Sequence, residues 1–138
     1  MEDKKDKSER LRYLNEEKEK QEKRRAFYID QINNLKDWIK SNQKEIKYNE
    51  GWINFHKNSE EKHKEKIKQT AILDEKIEQE NKLDFHIKEI KNHHEEYINF
   101  HKREIDFINE EIKFFEKGID KCQKQLDFLN EKIEENLN

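Results

Sequence analysis

The stretch INFHKREIDFINEEIKFFEKGIDKCQKQLDFLNEKI, residues 98–133, decides the fold. Ile98, Ile105, Ile112, Ile119, Leu126 and Ile133 recur every seven residues. Between them stand His101, Ile108, Phe115, Cys122 and Leu129, so the spacing alternates three and four. This is the a/d seam of a coiled coil, in which one apolar stripe of a helix packs on a partner helix. Gly118, beside the seam, weakens the helix locally by about 1 kcal/mol relative to alanine without ending it.

Upstream, the same pattern recurs in less apolar form. Leu11, Ile32, Ile39, Ile46, Ile53 and Ile67 hold the a phase, and Leu14, Tyr28, Leu35 and His56 hold the d phase. Lys18, Gln21, Arg25, Asn42 and Asn49 fall on this seam too. Polar seam residues set register or oligomer state at a cost in stability. Residues 1–25 have little to bury and are expected to form a charged, frayed helical extension of a coiled-coil domain over 26–138. A short internal repeat joins the halves: Trp52-Ile53-Asn54-Phe55-His56-Lys57 matches Tyr97-Ile98-Asn99-Phe100-His101-Lys102 at the same heptad phase.

Between the halves the stripe loses coherence. Ala71, Ile72 and Leu73 point in several directions, and a stripe re-forms from Leu83 through Ile87, Ile90, His94 and Ile98. The pattern predicts an all-α, elongated antiparallel helical hairpin with arms over about 26–70 and 83–137 and a reversal near 72–82. Folded there, Ile53 would face Ile105, Ile46 would face Ile112, Ile39 would face Ile119 and Ile32 would face Leu126. His56 would face His101, and His63 would face His94. The alternative is a three-helix bundle with turns near Asn58-Ser59 and Asn92, where Ser59 could cap a helix and asparagine could end one.

Composition supports a rod over a compact globule. Hydrophobic residues are 30% of the chain and charged residues 46%, against averages of roughly 45–50% and about 25%. Proline is absent and glycine occurs twice, so helices can run unbroken. The net charge of -3, with both signs interspersed, disfavours a general nucleic-acid or membrane-surface binder. A single cysteine and no long apolar run suit a cytoplasmic protein, host cytoplasm if the source is a phage or virus.

A second apolar stripe lies off the seam. Position c carries Phe27, Tyr48, Phe55, Phe100, Phe107, Phe114 and Phe128, while position g carries Trp38, Trp52 and Tyr97. The face is too wide for one partner helix. It fits self-association into a dimeric helical bundle, docking of an unidentified protein partner, or both.

Chemistry is harder to find. All six histidines (His56, His63, His86, His93, His94 and His101) lie in the middle third. His56, His63, His94 and His101 read as polar seam layers. The one Glu-x-x-His element, Glu60 to His63, falls short of a di-iron bundle site, which needs two such elements and two further glutamates. No metal ligand set, cofactor or catalytic residue is assigned. Cys122 is a seam residue with no histidine near it in sequence, and no glycine-rich phosphate loop exists. Lys57, Lys64 and Lys68 share a face and are the candidates for phosphate contacts, diluted by Glu60, Glu61 and Glu65. The expectation is a non-enzymatic protein-binding module acting as scaffold, adaptor or stoichiometric inhibitor. Residue usage typical of AT-rich codons admits a phage or mobile-element anti-defence protein of the anti-CRISPR type. Its rival is a nucleic-acid-binding coiled coil using the lysine face.

Overall fold

Why the chain forms helices follows from its residues: lysine and glutamate propagate a helix well, and exposed pairs three or four apart reinforce it. Arg12–Glu16, Lys82–Glu78 and Lys88–Asp84 are such pairs. In the computed structural model, which describes residues 3–137, helix α1 spans Lys4–Gln69 and α2 spans Leu73–Glu89. A π-helical turn, Ile90–His94, joins α2 to α3, Glu95–Leu137. The described residues contain no strand, and the arms pack as an all-α helical hairpin. The three-helix alternative is not what forms. α1 passes through Asn58 and Ser59 unbroken, and Asn92 lies inside the π-helical turn.

The reversal takes three residues, Thr70 to Ile72, and the rest of the expected 72–82 segment, from Leu73 on, is already α2. Ile72 is extended (φ -88, ψ 120) and starts α2 without a side-chain cap. The Thr70 N–H donates to the Lys66 carbonyl, and the Lys76 N–H to the Ile72 carbonyl, both at 3.1 Å. Lys66 and Lys68 end α1 while Asp74 and Glu75 begin α2. Each charge opposes the partial charge of its helix end. Charge complementarity therefore marks this turn in place of glycine or proline. The segment expected to be an N-terminal extension is helical from Lys4, with Leu14 buried and Leu11 half-buried.

Two compact units make up the hairpin: Met1–Asp37 with Ile108–Asn138, and Trp38–Phe107. The first is apolar at its seam. It buries Leu14, Ile32, Ile108, Ile112, Cys122, Leu126 and Leu129, and each large aliphatic side chain taken from water contributes roughly 1.5–3 kcal/mol. The Tyr28 ring packs on Phe115, centroids 5.8 Å apart. The same ring crosses Gly118 so closely that a Cβ there would stand 2.8 Å from Tyr28 Cε2. Gly118 therefore makes room for an aromatic ring. Arg10 Nη1 donates to Asn136 Oδ1 at 3.2 Å in this unit.

The second unit is polar at its seam. Its buried apolar residues are Ile90 and Ile98, and beside them Asn42, Asn49 and His56 are buried. Here the register departs from the expected one. His101 meets Asn42 in place of His56, and His94 meets Asn49 in place of His63. Both partners lie two heptads back along α1. The expected layer pairs from Ile53–Ile105 to Ile32–Leu126 belong to the register that does not form. A slip of two whole heptads keeps every a and d residue on the seam, so apolar periodicity cannot choose between the two registers. Hydrogen bonding between layers can.

The π-helical turn has a sequence cause. Gln79, Leu83, His86 and Ile90 face the seam at spacings of four, three and four, and then His94 and Ile98 follow at four and four. A seam step of three is thus replaced by four: one residue too many for an α-helix. The turn absorbs it, with the Glu95 N–H donating to the Ile90 carbonyl five residues back. The expected stripe through Ile87 is corrected accordingly. Ile87 is 44% exposed, and His86 occupies the seam.

Candidate functional site

Four layers of the Trp38–Phe107 unit are polar, alternating along the seam with Leu83, Ile90 and Ile98, and each is closed by a hydrogen bond across the hairpin. His101 Nδ1 lies 2.6 Å from Asn42 Oδ1, and His94 Nδ1 lies 3.0 Å from Asn49 Oδ1. His56 Nδ1 stands 2.6 Å from His86 Nδ1, and His63 Nδ1 stands 2.6 Å from Gln79 Oε1. The asparagines fix the proton positions. Asn42 Nδ2 donates to the Trp38 carbonyl at 3.0 Å, and Asn49 Nδ2 to the Glu45 carbonyl at 2.8 Å. Each amide nitrogen is thereby committed to backbone, so each amide oxygen accepts from histidine. His94 and His101 consequently donate through Nδ1. Among the described residues, no buried side-chain nitrogen or oxygen lacks a partner.

Aromatic rings surround the central layers. Trp52 stacks on His94, planes 4° apart at 6.1 Å, and tilts against His56 at 5.9 Å. Phe55 and Phe85 present edges to His56, and His63 stacks on His86. Burial holds the pKa of His56 below its ordinary value, reinforced by His86 and His94 and opposed by Glu89 and Glu60. The His86 pKa is lowered by burial and by His63, against the same two glutamates.

The cluster contains a potential ligand set that the sequence reading did not assign. One nitrogen from each of His56 and His94, and one carboxylate oxygen of Glu89, lie within 4.8 Å of one another. His56 is buried, and Glu89 and His94 are half-buried. His86, Glu89 and Phe85 were missed because they sit on the seam side only if the phase breaks by one residue. The step of four and four around His94 was the available signal. Of the four histidines expected on the seam, all are there, with partners other than those expected.

The other candidates are on the surface. Trp38, Tyr48, Trp52, Phe55, Tyr97, Phe100 and Phe107 are exposed in this unit, as are Phe27, Phe114 and Phe128 in the other. Lys57, Lys64 and Lys68 are exposed as well, and Lys64 Nζ lies 3.7 Å from Glu61 Oε1. Cys122, 3% exposed, is a small hydrophobe in the apolar seam. No helix among the described residues is long and apolar enough to cross a membrane. Comparison with known proteins supplies no relative from which a role could be carried over, since no family model, no curated protein and no solved structure matches the chain.

Proposed function

We propose that this chain is a non-enzymatic coiled-coil protein-binding module, a scaffold, adaptor or stoichiometric inhibitor that also associates with itself as a homodimer. The supporting observation is the set of large aromatic side chains that each unit leaves in water. Phe107 is 66% exposed and Trp38 65% in one unit, and Phe114 is 70% exposed in the other. Aromatic surface of this kind is the usual anchor of a protein interface, because each ring buries a large area at small cost in side-chain entropy. The seam is already filled, which leaves these rings as the large apolar surface open to a partner.

Sedimentation at several concentrations tests this reading. The wild-type chain is expected to associate. Changing Phe100, Phe107 and Phe114 together to glutamate should dissociate it while leaving helix content intact. A wild-type chain that stays monomeric and captures no partner, or a triple variant that associates as the wild type does, would refute it.

A further inference from the structure

We propose that His56, Glu89 and His94 bind a divalent first-row transition metal of the zinc class. The three donors come from both arms of the Trp38–Phe107 unit and lie within 4.8 Å of one another. Donors held at about 2.0–2.2 Å from one zinc ion can be at most about 4.4 Å apart. A small side-chain rotation therefore closes the set. Two imidazoles with one carboxylate suit zinc, copper, nickel or iron and disfavour magnesium and calcium, which take oxygen ligands.

A second observation points the same way. Glu89 and His94 are five residues apart, which on a regular α-helix places them about 140° apart, facing different directions. The π-helical turn Ile90–His94 removes that divergence and brings both to the His56 side. Such turns occur frequently at functional sites. A third observation concerns orientation. His94 donates its Nδ1 proton to Asn49 Oδ1, and Asn49 is itself anchored on the Glu45 carbonyl. That is how metal-binding histidines are generally held, with the second ring nitrogen tied to an oxygen acceptor and the ligand nitrogen left unprotonated. His56 Nδ1 shares a hydrogen bond with His86 Nδ1, which restrains the His56 ring. Polar layers alone would account for the Asn49–His94 and Asn42–His101 pairs, but they require no carboxylate beside two imidazoles.

The nearest competitor is the exposed His93, whose Nδ1 lies 4.0 Å from Glu89 Oε2 one helical turn away. Surface Glu–His pairs of that kind also attract metals, so the experiment must separate the two. Zinc chloride is titrated calorimetrically into the full, chelator-treated chain, and cobalt chloride is followed by its visible absorption. One equivalent of zinc per chain is expected, with a rise in melting temperature. Glu89→Gln and His94→Gln should each weaken binding by at least about tenfold, with helix content unchanged. His93→Gln and His101→Gln should leave binding as it is. Absence of saturable zinc binding, binding indifferent to Glu89→Gln or His94→Gln, or equal loss in His93→Gln or His101→Gln would each overturn the proposal.

Discussion

The two units of this hairpin use one seam geometry for different ends. The unit of Met1–Asp37 and Ile108–Asn138 buries mainly aliphatic side chains at its seam, although Lys18, Gln21 and Arg25 also hold the seam phase. The Trp38–Phe107 unit places histidine, asparagine and glutamine at equivalent positions and joins them across the hairpin. Aliphatic layers stabilise whatever register brings them together, because the hydrophobic effect has no direction. A histidine–asparagine layer works only when donor meets acceptor. The contrast implies a division of labour: apolar burial stabilises the first unit, and hydrogen-bonded layers specify alignment in the second.

The largest effects should fall in the apolar unit. Ile108→Ala and Leu126→Ala, both at well-buried positions, should each cost about 2–5 kcal/mol in chemical denaturation. A cost near zero would mean that the apolar unit does not carry the stability.

Substitutions in the polar unit should behave otherwise. Asn49→Leu removes the acceptor of the His94 Nδ1 proton and should cost about 1–3 kcal/mol. The double variant Asn49→Leu/His94→Leu should recover most of that, and a double-mutant cycle measures the recovery. If the losses simply add, the two residues do not form a layer.

The two glycines, one in each unit, should differ at a smaller scale. Nothing lies within 4 Å of a Cβ at Gly51, so Gly51→Ala should stabilise by about 1 kcal/mol. Gly118→Ala gains the same helix propensity but meets the Tyr28 ring at 2.8 Å. It should raise the melting temperature less than Gly51→Ala does, or lower it. Equal stabilisation at both sites would show that the Tyr28 contact is soft.

The smallest expected effect is on pH dependence. His56 and His86 have folded-state pKa values below the ordinary 6.5. Below about 6.5 the unfolded chain therefore binds more protons than the folded one. Their contribution is complete above about 6.5 and is lost as pH falls through the lowered folded values. The facing groups are His63, His94, Glu60 and Glu89, and the two glutamates moderate the loss. Melting temperature should drop on acidification from pH 7.5 to 5.5, and His56→Leu/His86→Leu should flatten that drop. A slope unchanged by the double substitution would assign it to other groups.

How much of this was legible in the sequence depends on which physical signal carried it. The heptad run from Ile98 to Ile133 sufficed for helices, seam and hairpin, because apolar periodicity is a local property. Exposure of Trp38, Phe107 and Phe114 followed from the same wheel. The turn at Thr70–Ile72 was harder, since only the change from Lys66 and Lys68 to Asp74 and Glu75 marks it. Register was not legible from apolar residues, as a two-heptad slip preserves their phase. The asparagines carry that information: Asn42 and Asn49 offer an acceptor that a facing histidine needs, a signal independent of apolar periodicity. The Glu89 and His94 pairing was hidden behind the extra residue that the π-helical turn absorbs.

Register fixes which residues meet across the hairpin, and intrachain crosslinking reads it out. In a Cys122→Ala background, Tyr28→Cys is combined either with Phe115→Cys or with Leu129→Cys, the position two heptads further along. A short bifunctional thiol reagent should join 28 to 115 within one chain and leave 28 and 129 unlinked, as the Tyr28–Phe115 ring contact requires. Efficient linkage of 28 to 129, with none to 115, would mean that the arms pair two heptads away from this register.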